Sequence, residues 1–259
     1  MRQAILIEYD ERIATITLNN PDKLNALDLG MWQGLTDAFK ALSANDDLRC
    51  IVLRGAGDKA FAAGADIEEF TRMRASSAQA QDYAQITHAA MEAIAGSRHP
   101  TVAMIQGACV GGGLEIASMC DMRICGESSR FGVPVNRLGL VMSYGELGGL
   151  MALAGPAVAL EIVLEGRVFG AAEALEKRLV NRMVPDAEVP VEAYAAARRI
   201  SQGAPLVARW HKQFVRRLLN PAPLSAQEHA EAYACFDTED FRIGYQAFVN
   251  KSKPAFQGR

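Results

Sequence analysis

The chain has 259 residues, 50% of them hydrophobic and 22% charged, and a formal net charge of −3 at neutral pH. That length suits one large domain or a domain with an appendage, and it can bury a core without disulfides or metals. Weak acidity argues against nucleic acid as the main partner, and no uninterrupted apolar run reaches the ~18 residues of a membrane span.

Residues 4–9 and 13–18 alternate and are rich in β-branched side chains around Asp10-Glu11, which predicts a hairpin. Asn19-Asn20-Pro21-Asp22 is turn chemistry. Asp28 is placed to cap a helix whose apolar residues recur at Met31, Leu35, Phe39 and Leu42. Residues 50–54 read as a buried strand ended by Gly55-Ala56-Gly57-Asp58, residues 78–95 as helix, and residues 101–105 as strand. Gly111-Gly112-Gly113, a helix to about Met119 and a short strand over 122–125 follow. The succession predicts an α/β fold with parallel crossover connections. From about Ala171 onward the pattern is nearly all helical, near 187–202, 205–219, 224–236 and 238–250, punctuated by Pro205, Pro221 and Pro223. The expected organisation is a body over 1–200 and a helical region over 201–259.

Five cysteines, Cys50, Cys109, Cys120, Cys125 and Cys235, are odd in number, scattered and without C-x-x-C. With no secretory pattern in residues 1–10, they point to a reducing, cytoplasmic setting and no membrane. Between Ala193 and Gln227 there are six Lys/Arg and no Asp/Glu. That stretch is a solvated helix face or a phosphate-facing patch.

Of the 22 glycines, 11 fall between Gly107 and Gly155, a local excess that points to a site built from backbone. Lys59-Ala60-Phe61-Ala62-Ala63-Gly64-Ala65-Asp66-Ile67 places small residues between a strand and a helix start. A ligand could meet free N–H groups there; taken alone, the segment also reads as a plain turn capped by Asp66. Three consecutive glycines at 111–113 weaken a helix and make sense where backbone must touch something at its N-terminus. The helix that follows is apolar almost all round, so Glu115 in its first turn is buried, which raises a carboxyl pKa and makes an acid or base. Glu115 could instead only complement the helix dipole. The four histidines show no metal-like pairing, no metal site is expected, and G-x-S-x-G, the phosphate loop and a dinucleotide fingerprint are all missing.

These segments resemble the crotonase (enoyl-CoA hydratase/isomerase) superfamily, and the match runs over essentially the whole chain. It rests on Asn25-Ala26-Leu27, Phe61-Ala62-Ala63-Gly64-Ala65-Asp66, Gly111-Gly112-Gly113-Leu114-Glu115, Cys120-Asp121, Phe131-Gly132-Val133-Pro134, residues 236–240 and Lys251-Ser252-Lys253-Pro254. The resemblance implies a spiral of ββα units with a helical trimerisation region, assembled as a homotrimer or homohexamer. It implies an acyl-CoA thioester substrate and no separate cofactor, coenzyme A being part of the substrate. By motif position the oxyanion-hole amides fall on Ala65 and Gly112, a device commonly worth about 3–4 kcal/mol per donor. Ala63, Gly64, Asp66, Ile67 and Gly111 flank it. Lys23, Leu24 and Ala26 match the stretch that cradles the CoA adenine and ribose, and Lys251 matches a lysine reaching CoA phosphates from a neighbouring subunit.

Hydratases of the family carry a second glutamate just after the Phe-Gly-x-Pro element, and here that place is Val135. Loss of one acid–base partner costs about 10²–10⁴-fold. Tyr144 or Glu146 could substitute, or Glu115 alone could shuttle a proton. The expectation is therefore enoyl-CoA hydratase-type chemistry, a lyase reaction. The alternatives are isomerisation, another single-glutamate reaction such as hydration with cleavage or decarboxylation, and a non-catalytic acyl-CoA- or RNA-binding protein.

Overall fold

β1 (Ile5–Asp10) folds back on β2 (Ile13–Leu18), in register from Ile5↔Leu18 to Asp10↔Ile13. Glu11, in the left-handed region at φ 51°, closes the tight turn. The computed structural model describes residues 3–259. α1 (Leu29–Ser43), whose cap Asp28 accepts the Met31 N–H, leads to β3 (Cys50–Gly55) and β4 (Ala60–Ala62). The short α2 (Phe70–Met73) and the long α3 (Ser77–Gly96) follow. The order then repeats as β5 (Thr101–Ile105), β6 (Ala108–Val110) and α4 (Gly112–Met119). It repeats again as β7 (Met122–Gly126), β8 (Arg130–Gly132) and α5 (Tyr144–Glu165). β9 (Phe169–Gly170), α6 (Ala171–Glu176), β10 (Arg182–Val184) and α7 (Val189–Ser201) complete the body. The last helices are α8 (Pro205–Leu218), α9 (Ala226–Glu231) and α10 (Glu239–Val249).

In each repeat the first strand joins a six-stranded sheet, β1-β2-β3-β5-β7-β10, and the second joins a four-stranded sheet, β4-β6-β8-β9. This is the expected spiral of ββα units. All pairings after the hairpin are parallel except β8 with β9. Parallel sheets survive only with both faces covered, and β3 shows how. Ile51 and Leu53 pack with Trp32, Leu35 and Phe39 on one side. Cys50 and Val52 meet Val189, Ala193, Ala196 and Ala197 of α7 on the other. All five cysteines are free thiols, four of them buried.

The chain from Ala171 is less helical than expected. β10 closes the main sheet beside β7, and helix within 224–236 is confined to α9 and a 3₁₀ turn, Ala234–Asp237. Strands of two or three residues are too short to display a period of two. By length and composition α5 could cross a membrane. It is broken at Gly155 (φ 76°, ψ 174°), followed by Pro156, so neither half has the ~20 residues a span requires. α8 is fastened to the body by Lys212 Nζ, which donates to Asp121 Oδ2 at 2.7 Å and His99 O at 3.1 Å. Arg199, Arg209, Lys212, Arg216 and Arg217 each bind an acceptor of this chain. Five of the six cations of the basic stretch are therefore internal ties.

Candidate active site

The site begins with the chain crossing itself. Asn25, 1% exposed and left-handed at φ 56°, is held by its side chain. Its Nδ2 donates to Ala56 O (3.0 Å) and Ala60 O (2.7 Å), and its Oδ1 accepts the Asn20 N–H at 3.0 Å. That anchor lays residues 24–27 along residues 63–66. Ala63 N–H donates to Leu24 O, Leu27 N–H to Gly64 O and Asp66 N–H to Leu27 O, at 3.0, 2.8 and 2.9 Å. Leu27 and Ala65 thus form a parallel bridge. In such a bridge one residue, here Leu27, bonds to the two that flank its opposite, so the N–H of Ala65 points to the other edge. For Ala65 that edge is a cavity.

The opposite wall is the first turn of α4. Gly111, at φ 51° and ψ −122°, turns the chain from β6 into the helix, a conformation that excludes most side chains. Gly113 lies so close to β4 that a Cβ on it would sit 2.2 Å from Ala62 O. A Cβ on Gly112 would stand 3.5 Å from Ala65 N, and one on Gly64 4.0 Å from Gly112 N. The Ala65 and Gly112 amides therefore share one small region. Gly112 N–H is among the first four of the helix, which have no intrahelical acceptor. Among the described residues neither amide has an acceptor in the chain.

Both residues line a cavity of about 150 Å³, together with Ala63, Gly64, Ile67, Gly111, Glu115, Val135 and Glu146. Glu115 is 7% exposed, and burial, reinforced by the Glu146 charge and opposed by Arg74, pushes its pKa up to about 8. Its carboxyl accepts no hydrogen bond from the described residues. Glu146 sits in the first turn of α5 and accepts the Ser143 N–H, while the Ser143 hydroxyl is bonded to His88 Nε2 at 2.8 Å. Val135, on the 3₁₀ turn Pro134–Leu138, presents an apolar wall.

Tyr144 does not join them. It is 97% exposed at the start of α5 and outside the cavity lining, because the turn that aims Glu146 inward points Tyr144 out. Lys23, Leu24, Ala26, Asp66 and Lys251 also lie outside the lining. Lys23 Nζ is held by Asp66 (2.8 Å) and Glu68 (2.7 Å), which raises its pKa. Asp66 also caps the 3₁₀ turn Ile67–Glu69. The sequence reading missed Trp32, Phe70, Arg74, Thr87, Leu138, Leu140, Val141 and Met142 as lining residues. A larger cavity of about 700 Å³ between α3, α5 and α8 contains neither amide nor Glu115.

A family model described as enoyl-CoA hydratase/isomerase matches residues 8–259. The chain belongs to the enoyl-CoA hydratase/isomerase family. It is 36% identical over 259 residues to a probable enoyl-CoA hydratase of Mycobacterium tuberculosis, covering 99% of each chain. It is 30% identical over 254 residues to a crotonyl-CoA hydratase of Syntrophomonas wolfei, covering 97% of each. Among solved structures it resembles an enoyl-CoA hydratase/carnitine racemase from Magnetospirillum magneticum, with a TM-score of 0.98, 48% identity and coverage of 100% and 97%. The enoyl-CoA hydratase of Bacillus anthracis superposes at a TM-score of 0.93 with 30% identity and coverage of 99% and 100%. The chain is thus an enzyme of the hydratase/isomerase type on a crotonase fold.

Proposed function

We propose that this family member adds water across the α,β double bond of a short-chain 2-enoyl-CoA thioester. The observation that carries the reading is the convergence of two acceptor-free amides, Ala65 and Gly112, on a cavity holding two carboxyl groups. The amides receive the thioester oxygen and stabilise the enolate as it forms. Water oxygen bonds to the β carbon, and the π pair moves to the α carbon and carbonyl. Glu146 takes the proton from water, and Glu115, protonated at neutral pH, delivers one to the α carbon. A carboxyl group kept protonated by burial is how such sites hold an acid at neutral pH. Glu146 thereby serves in place of the family glutamate that Val135 replaces.

A second reading is double-bond isomerisation with Glu115 as sole proton shuttle, favoured by the apolar Val135 wall. Two measurements on the purified enzyme decide: hydration of crotonyl-CoA adds the mass of one water, and isomerisation converts 3-butenoyl-CoA into the conjugated 2-enoyl thioester, read by its ultraviolet absorbance. Glu146→Gln should lower hydration about 10²–10⁴-fold; unchanged turnover would remove Glu146 from the mechanism. The cavity, smaller than the ~300–1,000 Å³ of drug-sized pockets, supports a short acyl group.

Lys23, Leu24 and Ala26 are proposed to cradle the CoA nucleotide, and Lys251 to reach its phosphates. The protein is proposed to be a cytoplasmic homotrimer or homohexamer. Exposed apolar side chains on α5 and α10, Leu164 at 70% and Phe248 at 86%, support assembly. Sedimentation should give three or six times 28.0 kDa.

A further inference from the structure

The cavity carries one cation. Arg74 follows α2 and lines the same wall as Glu115. Its guanidinium lies 3.8 Å from the Tyr83 ring centroid and 4.6 Å from that of Phe70. Stacking on two rings immobilises the planar group, which shares one hydrogen bond with the Tyr83 side chain and leaves its other in-plane N–H donors available. Among the described residues it forms no ion pair with a carboxylate.

The acidic groups nearby are otherwise engaged. Glu115 is held neutral by burial, Glu146 accepts the Ser143 N–H, and Glu69 accepts the Leu29 N–H at 3.0 Å. A second polar group beside Arg74 is also unspent. Trp32 lines the cavity at 1% exposure, and its Nε1 reaches hydrogen-bond geometry with no acceptor. Burial pushes the pKa of the neighbouring Tyr83 hydroxyl up, with Arg74 and Trp32 beside it acting in the opposite sense. An apolar acyl tail would leave these donors unanswered, at the cost of any desolvated polar group.

We infer that Arg74 is the anchor of an anion subsite for the distal end of the acyl group, so that the enzyme takes short CoA thioesters ending in a carboxylate. A carboxylate facing a guanidinium can accept two parallel N–H bonds. This rests on the acyl-CoA reading of the site. It makes Arg74 a specificity-determining residue, with no part in the proton transfers.

The test compares binding of glutaryl-CoA and pentanoyl-CoA, saturated esters of equal chain length, by calorimetry, with free coenzyme A as reference. The wild-type protein should bind glutaryl-CoA at least about 10-fold more tightly. Arg74→Met should remove that preference while changing pentanoyl-CoA affinity less than about 3-fold, and Arg74→Lys should retain part of it. Equal affinity of the two esters in the wild-type protein overturns the inference without any variant. Equal loss for both esters and coenzyme A in Arg74→Met overturns it too, by assigning Arg74 to the CoA phosphates. If none of the three ligands binds, the acyl-CoA reading itself fails and this subsite with it. If the esters bind equally, only the subsite falls.

Discussion

Glu115 is expensive to keep where it is. Its pKa of about 8 against a usual value of 4.5 means the folded state binds this proton more tightly than the unfolded state. Below pH ~4.5 both states are protonated and the residue makes no difference. Between pH ~4.5 and ~8 the unfolded chain ionises first, so stability declines as pH rises, by an amount on the order of a few kcal/mol in total. Glu115→Gln should therefore raise the melting temperature at pH 8, and the gain should vanish near pH 4, as calorimetry across pH can show. The same substitution should lower kcat about 10²–10⁴-fold with CoA-ester affinity nearly unchanged. In the wild-type enzyme kcat/KM should fall above pH about 8, where the proton destined for the α carbon is lost. Glu146→Gln should move the Glu115 titration downward, because it removes a like charge, and difference infrared spectroscopy of the carboxyl band would follow it.

Elements set the proposed oxyanion hole more than residues do. α4 approaches β4 so closely that only glycine fits at Gly113. Gly113→Ala should force the helix away, destabilise the protein by about 1–3 kcal/mol and misplace Gly112 N–H at a cost of about 10²-fold in kcat. Chemical denaturation and steady-state rates on one preparation separate the two effects. This part of the site was legible in the sequence, because three consecutive glycines at a helix start have few other reasons to exist. Glu146 was legible only as one of two candidates. Whether Tyr144 or Glu146 points inward depends on the helical phase at Ser143, which spacing alone does not fix. Arg74 was not legible at all, since its role comes from Tyr83 and Phe70 meeting it across the bend between α2 and α3. The short strands β4, β6, β8 and β9 escaped for a related reason: neighbours across the small sheet define them, not their own pattern.

For the whole molecule, the parallel main sheet and its covering helices followed from apolar runs such as residues 50–54. The attachment of the last helices did not, because it depends on single polar ties such as Lys212 to Asp121. Lys212→Ala should loosen α8 and cost about 1–2 kcal/mol, less than a fully buried pair because Asp121 is partly exposed and keeps Thr101 as a partner. Hydrogen exchange should report faster opening of residues 205–218 in that variant, with the main sheet unchanged. The two amides proposed to hold the thioester oxygen stand at equivalent points of successive ββα repeats, Ala65 after β4 and Gly112 after β6. Their spacing is thus set by how closely neighbouring repeats stack, written in main chain through the glycines that let the turns close up. Side chains of the acyl wall can therefore change, and with them the choice of substrate, while the two main-chain donors stay in place. Only an ester in place of the peptide bond at residue 65 or 112 would silence one donor without touching a side chain.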